Sequence, residues 1–303
     1  MSEGVVEDPD RERLGLPIRD LAVRPTVYGE DILAGQRLLI SGGGSGIGQA
    51  AAFLAARLGA SVMICGRNED RLIETAEAIS RRVGREVHHR AMTIRDPEQV
   101  QALANGAWER LGGVDTLVNS AGGQFLGPSL DYTVKGWHAV VDTNLNGTWW
   151  MMQAVAQRWR DNDLPGNVVN IVNIIDRGMP YGAHTAAARA GVVYLSKSVA
   201  VEWAPLHIRV NCLGPGAVIS TGWESYPEEN NVMSEFTNSN PMRRWGETWD
   251  VAETIVYLSC SASNFMTGEY IHLDGGQNLW TNRWLRAGGP PEWFRRTDEP
   301  SGD

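Results

Sequence analysis

The chain has 303 residues, 43% of them apolar and 21% charged, enough for one large α/β domain or two ordinary ones around a substantial core. A formal net charge of −9 leaves no cationic excess to neutralise a phosphate backbone, so nucleic acid is not an expected partner. Cys65, Cys212 and Cys260 stand far apart without a CxxC or Cys/His cluster, which argues against a metal site or a disulfide framework and fits a reducing, cytoplasmic setting.

In chain order, the opening MSEGVVEDPDRERLG places acids and arginines where a secretory leader needs apolar residues. No apolar run approaches the roughly 18 residues of a membrane span. Residues 1–34 carry mixed charge with Pro9, Pro17 and Pro25, predicting an arm that lies on the body or is partly disordered. From Gln36 onward apolar runs alternate with helical patterns, the mark of βαβ units and a mostly parallel sheet. Strands are predicted over 37–41, 61–65, 86–94, 114–120, 167–175, 207–214 and 269–276. Asn68 caps a helix over 69–82. Asp96-Pro97 supplies an N-cap and an N1 proline for a helix over 98–111, and Thr133 opens one over 134–159. No linker splits the middle of the chain, so one domain is expected over 35–280. Residues 217–247 break the alternation and predict an inserted helical flap of the kind that covers ligands. Residues 281–303 form a Trp/Arg-rich tail, and the ending Ser301-Gly302-Asp303 is not a peroxisomal signal.

Between the first strand and an Ala-rich helix lies Ser41-Gly42-Gly43-Gly44-Ser45-Gly46-Ile47-Gly48. Glycines let the backbone turn tightly against a pyrophosphate, and the helix start offers unpaired N–H groups. Ser41, Gly42, Gly44, Ser45, Gly46, Ile47 and Gly48 are therefore candidate dinucleotide contacts. A carboxylate after the second strand would receive a ribose 2′-hydroxyl, and a cation a 2′-phosphate. The chain has Arg67 there, which reads as a selector for NADP(H) or as a solvated arginine before a helix cap.

Together these stretches resemble the short-chain dehydrogenase/reductases, over about residues 35–280. Ser41 to Gly48 stands for the family's glycine motif and Asn119-Ser120-Ala121-Gly122 for its NNAG. Asn144 stands for the asparagine that holds a water, Pro215-Gly216 (with Val218 following) for the turn beside the nicotinamide, and Asp274-Gly275-Gly276 for the closing DGG. The resemblance implies a three-layer, Rossmann-type, doubly wound α/β fold of seven mainly parallel strands, usually assembled as a homotetramer. It adds Asn119, Ala121, Gly122, Pro215, Gly216 and Val218 to the cofactor contacts. Thr93-Ile94-Arg95 replaces the family's Asp-Val, leaving Ile94 to pack on the adenine. Within the family, NSAGGQFLGP (119–128), KGWHAVVDTNLNGT (135–148), NVVNIVNII (167–175) and HTAAARAGV (184–192) are most similar to peroxisomal-type trans-2-enoyl-CoA reductases, with the 2,4-dienoyl-CoA reductases nearby.

The same resemblance exposes a departure. Counting back eight residues from Lys197 places Arg189 where the family has its lysine, and four more place Thr185 where it has its tyrosine; Asp176 falls loosely at its serine. A threonine is a far weaker acid than a phenol, and an arginine holds ribose hydroxyls and positive charge without passing protons. Ordinary carbonyl reduction loses both partners, whereas a conjugated acceptor needs mainly donors and a cation for an enolate. The expectation is an NADPH-dependent oxidoreductase that reduces a conjugated C=C bond of an enoyl-CoA or related enone, with Asn144, Tyr181, Thr185 and Arg189 as catalytic candidates. Arg189 also belongs to the cofactor set. Tyr181 reads equally as acid or as loop packing, and His184 as helix start or as a substitute acid. The alternatives are an alcohol or ketone dehydrogenase with a relocated acid, and a silent NADP-binding scaffold. Trp223, Trp245 and Trp249 line an acyl site or seal the flap, and Arg243 and Arg244 meet coenzyme A phosphates or solvent.

Overall fold

A computed structural model of the chain describes residues 15–222 and 240–280. Parallel strands buried on both faces read as continuous apolar runs, and β1 (Arg37–Ser41) shows why. Its Leu38 and Ile40 enter one core and Leu39 the other. β2 (Ser61–Gly66) divides likewise, Val62 and Ile64 against Met63 and Cys65. With β3 (Val87–Ala91), β4 (Thr116–Asn119), β5 (Gly166–Ile171), β6 (Ile208–Pro215) and β9 (Tyr270–Leu273) they make a seven-stranded sheet in the order β3-β2-β1-β4-β5-β6-β9. Every pairing in it is parallel. The strand order reverses between β1 and β4, which opens a ligand crevice at the carboxyl ends of the strands. A short parallel pair, β7 (Val218–Ile219) and β8 (Gly246–Glu247), stands at the base of the predicted flap. Most of that flap, Trp223 with it, and the whole tail 281–303 lie outside the described residues.

The predicted caps hold. α2 (Gly46–Arg57) follows the glycine turn, and Asn68 accepts from Arg71 N–H to start α3 (Glu69–Val83). Asp96 accepts from Glu98 and Gln99 to start α4 (Pro97–Leu111). The long helix expected over 134–159 is instead three pieces: α5 (Val134–Val141), a π-helical stretch (Asp142–Gly147) and α6 (Thr148–Asp161). The π stretch ends in close packing: a Cβ on Gly147 would stand 2.7 Å from Ile94 Cγ1. Arg95 binds Thr143 Oγ1 at 2.5 Å and the Ala139 carbonyl at 2.7 Å. The wider turn sends Asn144 fully inside, a placement such turns often serve at functional sites. α7 (Ala183–Trp203) and α8 (Thr248–Ser259) complete the layers. No helix among the described residues is long and apolar enough to cross a membrane.

Residues 15–34 lie on the body rather than loose. They include α1 (Ile18–Leu21) and bury Leu21 and Leu33 in the first core. Arg57 of α2 donates to the Leu21 and Arg24 carbonyls at 3.2 and 2.7 Å and sits 5.4 Å over the Trp249 ring. Trp249 donates its indole N–H to Pro25 O at 3.0 Å. With 4% of its surface exposed, Trp249 seals α8 to the arm and is not a substrate contact. Leu33→Ala is expected to cost about 2–4 kcal/mol, read as a lower urea midpoint at unchanged slope. Val27→Ala, at an 83% exposed position, should leave the midpoint where it is.

Candidate active site

The turn after β1 forms a cradle by excluding side chains. Gly42 has φ 72°, and a Cβ there would stand 2.9 Å from Ala121 Cα. A Cβ on Gly48 would overlap the Gly42 carbonyl. Ser45 is the N-cap of α2 but makes no side-chain cap, and the first turn carries no acid. The helix therefore presents uncapped N–H groups and its positive end, a fit for the pyrophosphate of a dinucleotide. Three candidate contacts shape this cradle from behind instead of facing an occupant. Ser41 is fully buried, its Oγ receiving the Ser120 and Ala121 N–H groups at 3.2 and 3.1 Å. Gly48 is buried where α2 closes on the turn. Asn119, 2% exposed, donates to Asn170 Oδ1 at 2.8 Å. Ile94 is 6% exposed and packed on Gly147, which leaves it little surface to offer an adenine. Arg67 is exposed just past β2. Pro215 ends β6, and the N–H of Gly216 is held by Leu273 O at 3.0 Å. Val218 pairs with Gly246.

Asn144, Thr185 and Arg189 do come together. Asn144 Nδ2 donates to Gly123 O at 2.9 Å and to Thr185 Oγ1 at 3.2 Å, while its Oδ1 receives Gly123 N–H at 3.0 Å. Arg189 lies one turn along α7 from Thr185. Its Nη1 donates to Ile171 O at 2.8 Å, and a Cβ on Gly122 would overlap its Nη2. Arg189 keeps some accessible surface, yet desolvation pushes its pKa down to about 10, and it remains a cation at neutral pH. No carboxylate pairs with it among the described residues. The cluster thus offers a desolvated positive charge and hydroxyl and amide groups.

Tyr181 is not brought into this cluster. It has φ 62° and is 61% exposed, and its carbonyl is the anchored group, receiving Gly127 N–H at 3.0 Å and Tyr132 OH at 2.6 Å. Asp176 pairs with His272 of β9 at 2.6 Å, an arrangement with no sequence signal because the two lie far apart in the chain. Tyr270, also missed by sequence reasoning, bridges Ile175 N–H and Asn173 O through its hydroxyl. Arg244 forms an ion pair with Asp250 at 2.9 Å, which engages it at the start of α8. Burial pushes the Cys65 and Cys212 thiols up to about 12 and about 11, so neither serves as a nucleophile near neutral pH. Among the described residues no group of three or more His, Cys, Asp or Glu side chains could hold a metal.

A family model described as enoyl-(acyl carrier protein) reductase matches residues 42–278. A probable 2,4-dienoyl-CoA reductase, (2E)-enoyl-CoA-producing, of Bacillus subtilis (strain 168) is 36% identical over 81% of this chain and 96% of its own. The glucose 1-dehydrogenase of Gluconobacter oxydans (strain 621H) is 31% identical over 86% of this chain and 99% of its own. Among solved structures, a gluconate 5-dehydrogenase from Burkholderia cenocepacia J2315 in complex with NADP and tartrate superposes with a TM-score of 0.77 at 29% identity, covering 83% of this chain and 99% of that one.

Two outcomes follow from this geometry. Gly122→Ala must displace the Arg189 guanidinium and is expected to lower turnover about 100-fold while the thermal midpoint moves little, as steady-state kinetics and calorimetry would show. Burial holds the His184 imidazole below its ordinary pKa of 6.5, so below that pH the unfolded chain takes up a proton that the folded one refuses. Stability should therefore fall as pH drops from about 7 towards 5, and His184→Gln should flatten the urea midpoint against pH.

Proposed function

Since the chain belongs to the short-chain dehydrogenase/reductase family, an oxidoreductase family whose Rossmann-type fold binds a nicotinamide cofactor, we propose that it reduces a conjugated C=C bond of an enoyl-CoA or related enone with NADPH. Arg189 carries the reading: a desolvated guanidinium beside Thr185, with neither a carboxylate partner nor a phenol in the cluster among the described residues. When bound, the cofactor would supply hydride. Ser45, Gly46 and Ile47 at the start of α2 would hold its pyrophosphate, with Gly42 and Gly44 admitting the backbone close to it. Ala121 and Gly122 would line its nicotinamide half together with Pro215 and Gly216. Arg67 would meet a 2′-phosphate.

Addition of hydride to the far carbon of a conjugated thioester moves negative charge onto the carbonyl oxygen. A fixed cation and fixed donors stabilise that charge without reorganising, which is where such sites gain most. Arg189 supplies the charge, while Asn144 and Thr185 fix the surrounding hydroxyl and amide groups. Carbonyl reduction would instead need an acid on the oxygen as hydride arrives, and a threonine hydroxyl is a poor one. The substrate class named for the Bacillus subtilis relative, a dienoyl-CoA, supports a thioester. Cytoplasmic residence and a homotetrameric assembly belong to the same reading.

The test is NADPH oxidation with crotonyl-CoA, 2,4-hexadienoyl-CoA and cyclohexenone. Turnover of a conjugated acceptor is the expected result. Turnover of glucose, gluconate or simple ketones alone would favour the alcohol dehydrogenase reading to which the Gluconobacter oxydans relative points. Cofactor binding without hydride transfer to any acceptor would favour a silent scaffold. Arg67→Ala is expected to raise KM for NADPH about 10- to 100-fold, through loss of a charge-assisted bond, with KM for NADH unchanged.

A further inference from the structure

His184 stands immediately before Thr185, in the first turn of α7, and is fully buried. Its Nδ1 receives the Thr185 N–H at 2.7 Å. With Nδ1 accepting from Thr185, the neutral ring bears its hydrogen on Nε2, although the Gly182 backbone beside the ring favours its protonated form and opposes the effect of burial. That Nε2–H has no acceptor among the described residues. Buried donors are nearly always paired, and an unpaired one costs free energy that a fold retains where something else uses the group. The ring itself is fixed. Tyr132 stacks on it with centroids 4.5 Å apart, and Phe125 meets it edge-on at 4.3 Å. Both aromatics come from the segment joining β4 to α5, the segment that also supplies Gly122 to Arg189 and Gly123 to Asn144. The unused donor is thus next in the chain to the threonine bound by Asn144, beneath the loop that lines the Arg189 cluster.

We propose that the Nε2–H of His184 is the hydrogen-bond donor to the acyl carbonyl oxygen of the substrate, with Phe125 and Tyr132 covering it until a substrate enters. The inference rests on the enoyl reading and deepens it by naming the group that orients the thioester. Hydride adds to the terminal carbon of the conjugated system, and the π electrons shift towards the carbonyl oxygen. The Nε2–H and the Arg189 charge hold the resulting enolate. Water then delivers a proton to carbon as the C=O bond re-forms and hydroxide is left to the solvent, the sum being one hydride and one proton added to the conjugated system. His184 keeps its proton throughout and is a donor, not the acid. Desolvation favours its neutral form.

The kinetic test compares wild type with His184→Leu and His184→Gln, using NADPH with 2,4-hexadienoyl-CoA. Loss of one oxyanion donor costs about 10²- to 10³-fold in kcat, the change expected for His184→Leu with KM for NADPH within twofold of wild type. His184→Gln, whose amide N–H reaches a comparable point, should recover at least tenfold over His184→Leu. Wild-type kcat in His184→Leu, or equal impairment of the two variants, overturns the proposal while the enoyl reading stands. A wild type that reduces no conjugated acceptor overturns that reading, and His184 is then judged by binding alone. In histidine-labelled, NADP-loaded wild type, with six histidines in all, the His184 Nε2 resonance is assigned by its absence in His184→Gln. A shift of that resonance on saturation with butanoyl-CoA supports the donor role; an unmoved resonance overturns it.

Discussion

The fold has stripped the Arg189 guanidinium of much of its water and given it a carbonyl, Ile171 O at 2.8 Å, in place of a carboxylate. A charge in that condition is costly unless a ligand supplies what the protein withholds. The neighbouring backbone accommodates it at the expense of side chains: Gly122 tolerates no Cβ against Nη2, and Gly123 spends both its polar backbone groups on Asn144. Asn144 reaches this position because the helix widens into a π turn between Asp142 and Gly147. The widened turn ends at Gly147, which packs on Ile94. A cation with no carboxylate partner among the described residues therefore meets the loop after β4, the π turn that positions Asn144 and the first turns of α7 at one place.

Much of the fold was legible because its causes are local. Strand runs such as RLLIS follow from burial on both faces, and the caps at Asn68 and Asp96 follow from their own side chains. Boundaries shifted where local pattern and tertiary contact disagree. The apolar run 86–94 ends as a strand at Ala91, because Met92 and Ile94 enter the second core from a loop rather than from the sheet. The arm could not be placed from sequence, since its anchors are Arg57, Trp249 and Glu253, which lie on helices remote in the chain.

The site was legible in part for a similar reason. Spacing along one helix placed Thr185 and Arg189 together, and the structure sets them one turn apart with Asn144 against Thr185. Spacing says nothing about which way a buried group turns. Ser41, the first residue of the glycine motif, faces the loop after β4 and not the cradle. Nor does composition separate an aromatic that lines a pocket from one that clamps a helix, as Trp249 does.

The position of Tyr181 follows from how its loop is tied. Asn173 and Ile175 are bridged by Tyr270, Asp176 is held by His272, and Arg177 donates to the Asn278 and Trp280 carbonyls. On the other side, Gly127 and Tyr132 claim the Tyr181 carbonyl. Held from both ends, the short span enters α7 through a left-handed residue, a conformation costing a non-glycine residue about 1–3 kcal/mol. The side chain is left largely in solvent while the carbonyl does the binding. The Tyr181 side chain makes no hydrogen bond to Thr185 among the described residues, whereas the imidazole of His184 is buried and receives the Thr185 N–H. The loop geometry thus favours a site that handles charge with fixed donors over one that handles it with a mobile acid.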